Sequence, residues 1–134
     1  MLDHVQVDLV TPERQFASLE AKLVEVPGTV GDFGVLPGHS PLISTIRAGV
    51  VTVHMEANVR QRYLVMGGVA EVTNERCTIL GEYLEDISSV TREQADARLA
   101  TAKKAEEAAI TEEEKRNAAR QQHIAEVLCR SFAV

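Results

Sequence analysis

The sequence predicts an α+β protein in which an N-terminal antiparallel β-sandwich is followed by a C-terminal antiparallel two-helix hairpin. All 8 glycines and all 4 prolines lie at or before Gly81, and apolar residues alternate with period two in that part. Beyond Thr91 the apolar residues recur with the 3.6-residue period of a helix, and alanine becomes the commonest residue. We therefore place the sandwich at residues 1–85 and the hairpin at residues 86–134.

Short segments with one apolar face define the strands of the predicted sandwich. In the first strand, residues 4–9, Val5, Val7 and Leu9 lie on one side. Further strands are predicted at residues 16–26, 50–55, 62–66, 69–72 and 77–80. We expect Gly67-Gly68 to allow a tight reversal between two of them. Strands that recur about every ten residues between turn residues are typical of an antiparallel sandwich or barrel.

The most specific segment of the sequence is the glycine loop, residues 31–41 (GDFGVLPGHSP). Its three glycines permit positive φ or close backbone approach, and its two prolines fix φ and remove hydrogen-bond donors. A helix is excluded here, and little room is left for a regular strand. Apolar residues within the loop should fix it to a core, so we expect one specific conformation.

Two helix starts are predicted by capping boxes, at Thr91–Gln94 and at Thr111–Glu114. The turn of the hairpin is expected near residues 109–111. Each predicted helix has one apolar stripe, and alanine is the commonest residue in both stripes. The first stripe contains Ala95, Leu99, Ala102 and Ala109, and the second contains Ala118, Ile124, Ala125, Leu128 and Phe132.

Such a hairpin should be weakly held, because a buried alanine methyl contributes only about 0.8 kcal/mol. One interpretation is an element that detaches and docks again. The other is a permanently docked hairpin that closes the edge of the sandwich. The sequence leaves both interpretations open.

Composition narrows the class of protein. The net charge is −6, which argues against nucleic-acid binding, since no basic patch is available for phosphates. No apolar run approaches the roughly 20 residues of a membrane-spanning helix, and residues 1–4 do not resemble a signal peptide. We therefore expect a soluble, cytoplasmic protein in which Cys77 and Cys129 are free thiols.

No catalytic, metal-binding or cofactor-binding residues are predicted. The four histidines are scattered, none has metal-ligand spacing from another candidate ligand, and no nucleotide-binding or nucleophile motif is present. Between Gly38 and Ser40, His39 is expected to tie down a turn by hydrogen bonds. An enzyme that uses His39 is the remote alternative.

Binding to a partner is better supported. In the glycine loop, Asp32 suits contact with a basic group of a partner, or else an Asx interaction that stabilises the turn. The basic residues of the second helix suit an acidic surface, or else form an ordinary solvated face. A small-molecule-binding β-sandwich, with the glycine loop as the rim of a pocket, is the alternative function.

The chain resembles the ε subunit of the F-type ATP synthases, and the resemblance covers nearly its whole length. The glycine loop matches the GxFGVLPGHxP signature of that family. Residues 7–13 (VDLVTPE), 46–49 (IRAG) and 66–72 (MGGVAEV) match further family segments. The resemblance implies the same order of β-sandwich and α-hairpin that the periodicity predicts.

The resemblance implies a non-catalytic central-stalk (rotor) subunit of a bacterial, proton-translocating ATP synthase. The sandwich would bind the γ subunit and the c-ring, with Asp32, Phe33 and His39 in the c-ring contact loop. The hairpin would reach the α and β subunits and inhibit ATP hydrolysis through four basic residues: Lys115, Arg116, Arg120 and Arg130. The subunit would be peripheral to the cytoplasmic face of the inner (plasma) membrane.

One family feature is not matched. Members that bind ATP on the hairpin carry an (I/L)DxxRA motif at the start of its first helix. Residues 87–92 read ISSVTR, with serine and threonine where the motif has its aspartate and arginine. We therefore expect no ATP or other cofactor on this hairpin.

Overall fold

A computed structural model describes residues 3–132, and the chain divides into two compact units between Ser88 and Ser89. The first unit contains eight strands, and the second contains two helices. The strands are β1 Val5–Val10, β2 Gln15–Ala21, β3 Leu23–Val26, β4 Phe33–Val35, β5 Leu42–His54, β6 Arg60–Val72, β7 Arg76–Gly81 and β8 Leu84–Asp86. The helices are α1 Arg92–Ala108 and α2 Glu112–Arg130.

The two layers of the sandwich share one long ribbon, formed by β5 and β6. These strands pair antiparallel along almost their full length, from Leu42–Val72 to His54–Arg60. Toward its C-terminus β6 also pairs with β7, and toward its N-terminus it pairs with β8 instead. On the other side of the ribbon, the C-terminal half of β5 pairs with β3, which pairs with β4. The strand order is therefore β2-β1-β7-β6-β5-β3-β4, with β8 on β6.

The antiparallel prediction is right for every strand pair but one. Strands β1 and β7 are parallel, in a register that sets Val7 beside Cys77 and Leu9 beside Ile79. All four of these residues are fully buried. Parallel neighbours need a long connection rather than a hairpin, and here the connection comprises β2 to β6.

The predicted reversal at Gly67-Gly68 is wrong, because β6 runs straight through both glycines. Their φ angles are +98° and +143°, and the chain uses this freedom inside a strand. A Cβ on Gly68 would lie 2.0 Å from the carbonyl oxygen of Leu80 in β7. Gly68 therefore allows close approach of β7 at the point where β6 changes its partner strand.

Three other strand predictions need correction. The segment predicted as one strand over residues 16–26 is divided at Lys22 into β2 and β3. The strand predicted at residues 50–55 is only the second half of β5, which begins at Leu42. Within the glycine loop, Phe33–Val35 forms the short strand β4, because these three residues pair with β3.

The core of the sandwich is aliphatic, as the low aromatic content requires. Its largest fully buried side chains include Leu9, Ile79, Val24 and Val51. Beside it, the Phe16 and Tyr63 rings meet edge to face with centroids 6.1 Å apart. The apolar period-two faces of the sequence thus identify the core correctly.

A buried carboxylate, Asp8, joins three strands and was not anticipated. It accepts hydrogen bonds from Ser18 Oγ at 2.9 Å and from the amides of Gln6 and Gln15 at 3.4 Å, and it pairs with Arg76. Burial acts to raise the pKa of Asp8, but the hydrogen bonds and the charge of Arg76 outweigh it, so the pKa is lowered.

The hairpin begins as predicted. The Thr91 hydroxyl accepts from the Gln94 backbone N–H at 3.1 Å, and the Gln94 side chain accepts from the Thr91 N–H at 2.9 Å. At Thr111 only half of the predicted capping box is present. The Thr111 hydroxyl accepts from the Glu114 N–H at 3.1 Å. The Glu114 carboxylate accepts from the Thr111 hydroxyl at 3.1 Å, and not from the Thr111 backbone N–H as a capping box requires.

Alanines fill much of the buried surface of the helical unit, in agreement with the predicted stripes. Ala95, Ala102, Ala118 and Ala125 are all buried, and Ile124 and Leu128 are the largest fully buried side chains of α2. Across the hairpin, Cys129 Sγ lies 3.4 Å from the carbonyl oxygen of Ala95. Neither helix, over the described residues 3–132, has the length and apolarity to span a bilayer.

Candidate functional site

Three segments meet at one end of the sandwich, which we call the glycine-loop end. They are the β3–β4 connection (residues 27–32), the β4–β5 connection (residues 36–41) and the first residues of β5. Backbone hydrogen bonds fix both connections. Thr29 N–H donates to the Thr45 carbonyl at 3.1 Å, and Gly38 N–H donates to the Asn74 carbonyl at 2.8 Å. This end of the molecule is thus a defined surface.

The β4–β5 connection contains a tight turn at Leu36–His39. The His39 N–H donates to the Leu36 carbonyl at 3.1 Å, with Pro37 and Gly38 at the two central positions and φ of +83° at Gly38. Proline followed by a positive-φ glycine is the pattern of a type II turn. Pro37 and Gly38 are therefore the residues that the backbone angles of this turn favour at its two central positions.

The predicted hydrogen-bonding role of His39 fits this geometry. Its Nδ1 lies 2.6 Å from the carbonyl oxygen of Ser40, its chain neighbour. The imidazole is half-buried and is engaged with the loop backbone through that atom. Among the described residues, no three His, Cys, Asp or Glu side chains cluster as metal ligands would.

Phe33, in contrast, lies partly inside the protein. Its ring packs against the sandwich core, and the residue is half-buried. A Cβ on Gly28 would lie 2.5 Å from the Gly31 carbonyl oxygen and 3.0 Å from the Phe33 ring. The β3–β4 connection therefore closes tightly over this ring, and Phe33 holds the loop in place from below.

Asp32 is exposed and forms an ion pair with Arg47 of β5. Arg47 is itself fixed by its backbone, because its N–H donates to the Pro27 carbonyl at 3.0 Å. Its guanidinium thus reaches from a strand to the loop. This partnership could not be predicted from the sequence, since the two residues are 15 positions apart. The pairing of β3 with β5, and the bridge between Gly28 and Ile46 beyond it, bring the two segments together.

The same end exposes apolar side chains. Val30 is fully exposed, Ile43 is 74% exposed and Leu36 is 58% exposed. The exposure of Ile43 could not be predicted from the alternation of apolar residues, because the strand was predicted to begin only at residue 50 and β5 begins at Leu42. Exposed apolar residues gathered at one end of a protein commonly mark an interaction surface.

A shallow cleft of about 390 Å³ lies beside the loop. Its lining includes Asp32, Phe33 and Gly34, together with Leu23, Glu25 and Val26 of β3. A small-molecule-binding β-sandwich, the alternative function, would need a cleft of this kind at the glycine loop.

The basic residues predicted as a contact surface all lie on α2 and are exposed: Lys115, Arg116, Arg120 and Arg130. Arg116 and Arg120 are one helical turn apart and therefore share a face. Lys115 Nζ lies 3.9 Å from the carboxylate of Glu112 in the first turn, which leaves its charge partly compensated. Arg130 is in the last turn, where a cation complements the helix dipole.

Comparison with known proteins identifies the family of the β-sandwich and relatives of the whole chain. Residues 4–87 match the family model of the ATP synthase delta/epsilon chain β-sandwich domain. The chain is also similar to curated proteins along its whole length. The ATP synthase epsilon chain of Rhodospirillum rubrum is 43% identical over 128 residues, which are 96% of each chain. That of Paramagnetospirillum magneticum is 38% identical over 133 residues, 99% of this chain and 100% of the relative.

Solved structures share the fold at much lower identity. A chain of the Euglena gracilis mitochondrial ATP synthase (OSCP/F1/c-ring) superposes with a TM-score of 0.72 at 17% identity, covering 98% of this chain and 83% of that one. A chain of the Tetrahymena thermophila mitochondrial ATP synthase central stalk and c-ring gives 0.59 at 16% identity, covering 96% and 92%.

These comparisons give no support to the alternative of a small-molecule-binding sandwich. The family model accounts for the β-sandwich, and the full-length relatives also account for the helical hairpin that follows it. The chain therefore belongs to the ATP synthase epsilon chain family.

Proposed function

We propose that this chain is a non-catalytic central-stalk (rotor) subunit of a bacterial ATP synthase, which couples rotation of the c-ring to ATP synthesis in F1. The similarity to epsilon chains over 96–100% of their length carries this proposal. The solved structures with the same fold come from assemblies described as F1 with c-ring and as central stalk with c-ring.

The glycine-loop end is proposed as the c-ring contact, with Asp32, Phe33 and His39 in the contact loop. Three features support it: the backbone of the loop is fixed, its charged group is at the surface, and apolar side chains are exposed beside it. Phe33 supports the surface from within, and His39 stabilises the turn next to it. The γ subunit is proposed as the partner of the sandwich.

The hairpin is proposed as a regulatory element that reaches the α and β subunits and slows ATP hydrolysis. The exposed basic residues of α2 support contact with an acidic surface. An alanine-rich packing surface supports an element that can change its docking. As part of such a complex, the chain would lie at the cytoplasmic face of the inner (plasma) membrane.

The rotor assignment is tested by affinity purification of the tagged chain from detergent-solubilised membranes, with ATP hydrolysis assayed on the eluate. We expect recovery of γ, α, β and c subunits together with activity. Recovery of the tagged chain without these subunits would contradict the proposal.

The regulatory role is tested on the assembled complex. We expect removal of residues 90–134 to raise ATP hydrolysis while γ and the c-ring are still recovered. A full-length variant with Lys115→Gln, Arg116→Gln, Arg120→Gln and Arg130→Gln should reproduce the increase, since glutamine keeps the helix propensity and removes the charge. Unchanged hydrolysis in both would show that the hairpin does not inhibit this enzyme.

A further inference from the structure

The first compact unit ends in a short strand with a small area of attachment. Among the described strands, β8 pairs with β6 alone, and it has only three residues. Leu84, at its start, belongs to the buried core. After its end, the Ile87 N–H donates to the Arg62 carbonyl of β6 at 2.9 Å. Because the paired segment is so short, each hydrogen bond at its end is a large part of what holds it to β6.

Ser88 extends this attachment through its side chain. In a regular antiparallel pair, the Arg62 N–H would donate to the carbonyl of the opposite residue, Ile87. It donates instead to the Ser88 hydroxyl at 2.9 Å, and that hydroxyl donates to the Gln61 side-chain oxygen at 2.8 Å. The Ser88 N–H donates to the Asp86 carboxylate at 2.9 Å, which forms an Asx turn at the end of the strand. Ser88 therefore ties the last residue of the first unit to both β6 and β8.

The second unit has an equally defined start. The capping box of Thr91 and Gln94 orders the first turn of α1. Between the two fixed points lie Ser89 and Val90, which belong to neither a strand nor a helix, and the boundary between the compact units precedes Ser89. Two extended residues span roughly 7 Å. While Ser88 is attached, the start of α1 therefore has little freedom to move away from β6.

We propose that Ser88 is a positioning residue for the helical hairpin, because it limits the movable connection between the two units to Ser89 and Val90. The inference rests on the proposed function, in which the hairpin is a regulatory element. If Ser88 detaches and β8 follows, the connection grows to residues 82–90, which span roughly 30 Å when extended. The local concentration of a tethered element falls roughly as the −3/2 power of the tether length. Loss of the Ser88 attachment should therefore weaken inhibition of ATP hydrolysis.

Hydrogen exchange on the free full-length chain tests the attachment itself. Ser88→Ala removes the acceptor of the Arg62 N–H, so exchange at the Arg62 amide should become about three- to tenfold faster, the effect expected from one lost hydrogen bond. Ser88→Thr keeps the hydroxyl, and Ser89→Ala alters a hydroxyl that makes none of these bonds. Both controls should exchange like the unmodified chain, and so should the amides of β7 in all three variants. Unaltered exchange at the Arg62 amide in Ser88→Ala would overturn the proposal.

ATP hydrolysis by the assembled complex tests the effect on the hairpin. Ser88→Ala should raise hydrolysis part of the way to the level reached when residues 90–134 are removed. Ser88→Thr and Ser89→Ala should leave hydrolysis at the unmodified level. Insertion of Gly-Ser-Gly between Ser89 and Val90 lengthens the connection without altering Ser88. It should also raise hydrolysis, with exchange at the Arg62 amide unchanged.

Failure of this inference can be told apart from failure of the proposed function. Unchanged hydrolysis after removal of residues 90–134 would contradict the regulatory role of the hairpin, whatever the exchange at the Arg62 amide. An increase after that removal, but none with Ser88→Ala or with the insertion, would overturn only the positioning role of Ser88. Equal recovery of γ and the c-ring with every variant shows that the complexes compared are equally assembled.

Discussion

The sandwich and the hairpin are stabilised in different ways. The sandwich buries complete leucine, isoleucine and valine side chains between two layers that share one ribbon of strands. The hairpin buries four alanines together with Ile124, Val127 and Leu128 of α2, and each of its helices begins at a threonine cap. Long-range register and packing therefore determine the first unit, whereas local helix propensity and capping largely determine the second.

This difference fits the roles proposed for the two units. A body that transmits rotation must keep its shape under load, and a dense aliphatic core does so. A regulatory element must instead exchange one packing arrangement for another at low cost, and small side chains allow this.

The largest effect is expected from Gly68→Ala. The new methyl group would lie 2.0 Å from the Leu80 carbonyl oxygen, at a φ of +143°. Backbone strain and overpacking together should cost about 3–5 kcal/mol. Gly67→Ala is the matched control, because its nearest atom would be 3.8 Å away, and strain alone should cost about 1–2 kcal/mol. Urea unfolding measures both, and equal losses would contradict this account of the ribbon.

Asp8→Asn should destabilise the sandwich by about 1–3 kcal/mol at neutral pH, because it removes the charge from a network of hydrogen bonds. The folded pKa of Asp8 lies below its ordinary value of 3.8. Its contribution is therefore present above about pH 4 and is lost as the pH falls through the folded pKa. The free energy of unfolding, measured at several pH values between about 2 and 7, should therefore rise more steeply with pH for the unmodified chain than for the variant. Parallel pH profiles would exclude this role.

In the hairpin, Thr91→Ala should cost about 1 kcal/mol by removing the hydroxyl that accepts from the Gln94 N–H. The loss should stay local, with faster hydrogen exchange in the first turn of α1 and unchanged exchange in β5 and β6. Thr91→Ser keeps the acceptor and should behave like the unmodified chain. An equal loss of protection in the sandwich would show that the two units do not respond separately.

The smallest effect is expected from Ala57→Gly, and it should be stabilising. Ala57 lies in the β5–β6 turn with a φ of +59°, which costs a residue with a Cβ about 1–2 kcal/mol. Part of that gain is offset by the greater freedom of glycine in the unfolded chain. A net gain of about 0.5 kcal/mol should appear as a higher melting temperature. Asn58→Gly should gain less, because asparagine tolerates positive φ (+60° here) better than alanine does.

Much of this fold could be predicted because its signals are local. Period-two alternation identifies Val5, Val7 and Leu9 as core residues, and the capping box at Thr91 marks the helix start. Gly67-Gly68 was misinterpreted for a physical reason. Positive φ serves both a reversal and a close strand approach, and only the position of Leu80 distinguishes them.

The site was less predictable because its decisive contacts are long-range. The glycine loop could be recognised, and Asp32 and His39 could be selected from it. The partnership of Asp32 with Arg47 depends on the pairing of β3 with β5, and the exposure of Val30 depends on what the folded chain leaves uncovered. No pattern within a few residues of either position carries that information.

The shared ribbon has a mechanical consequence. Each of its strands has 13 residues, and together they continue from one layer into the other without a loop. A force that pulls the ends of these strands apart lengthwise would have to break many of their hydrogen bonds at once, rather than one after another. The ribbon should therefore resist deformation of the sandwich most strongly along the direction in which its strands run.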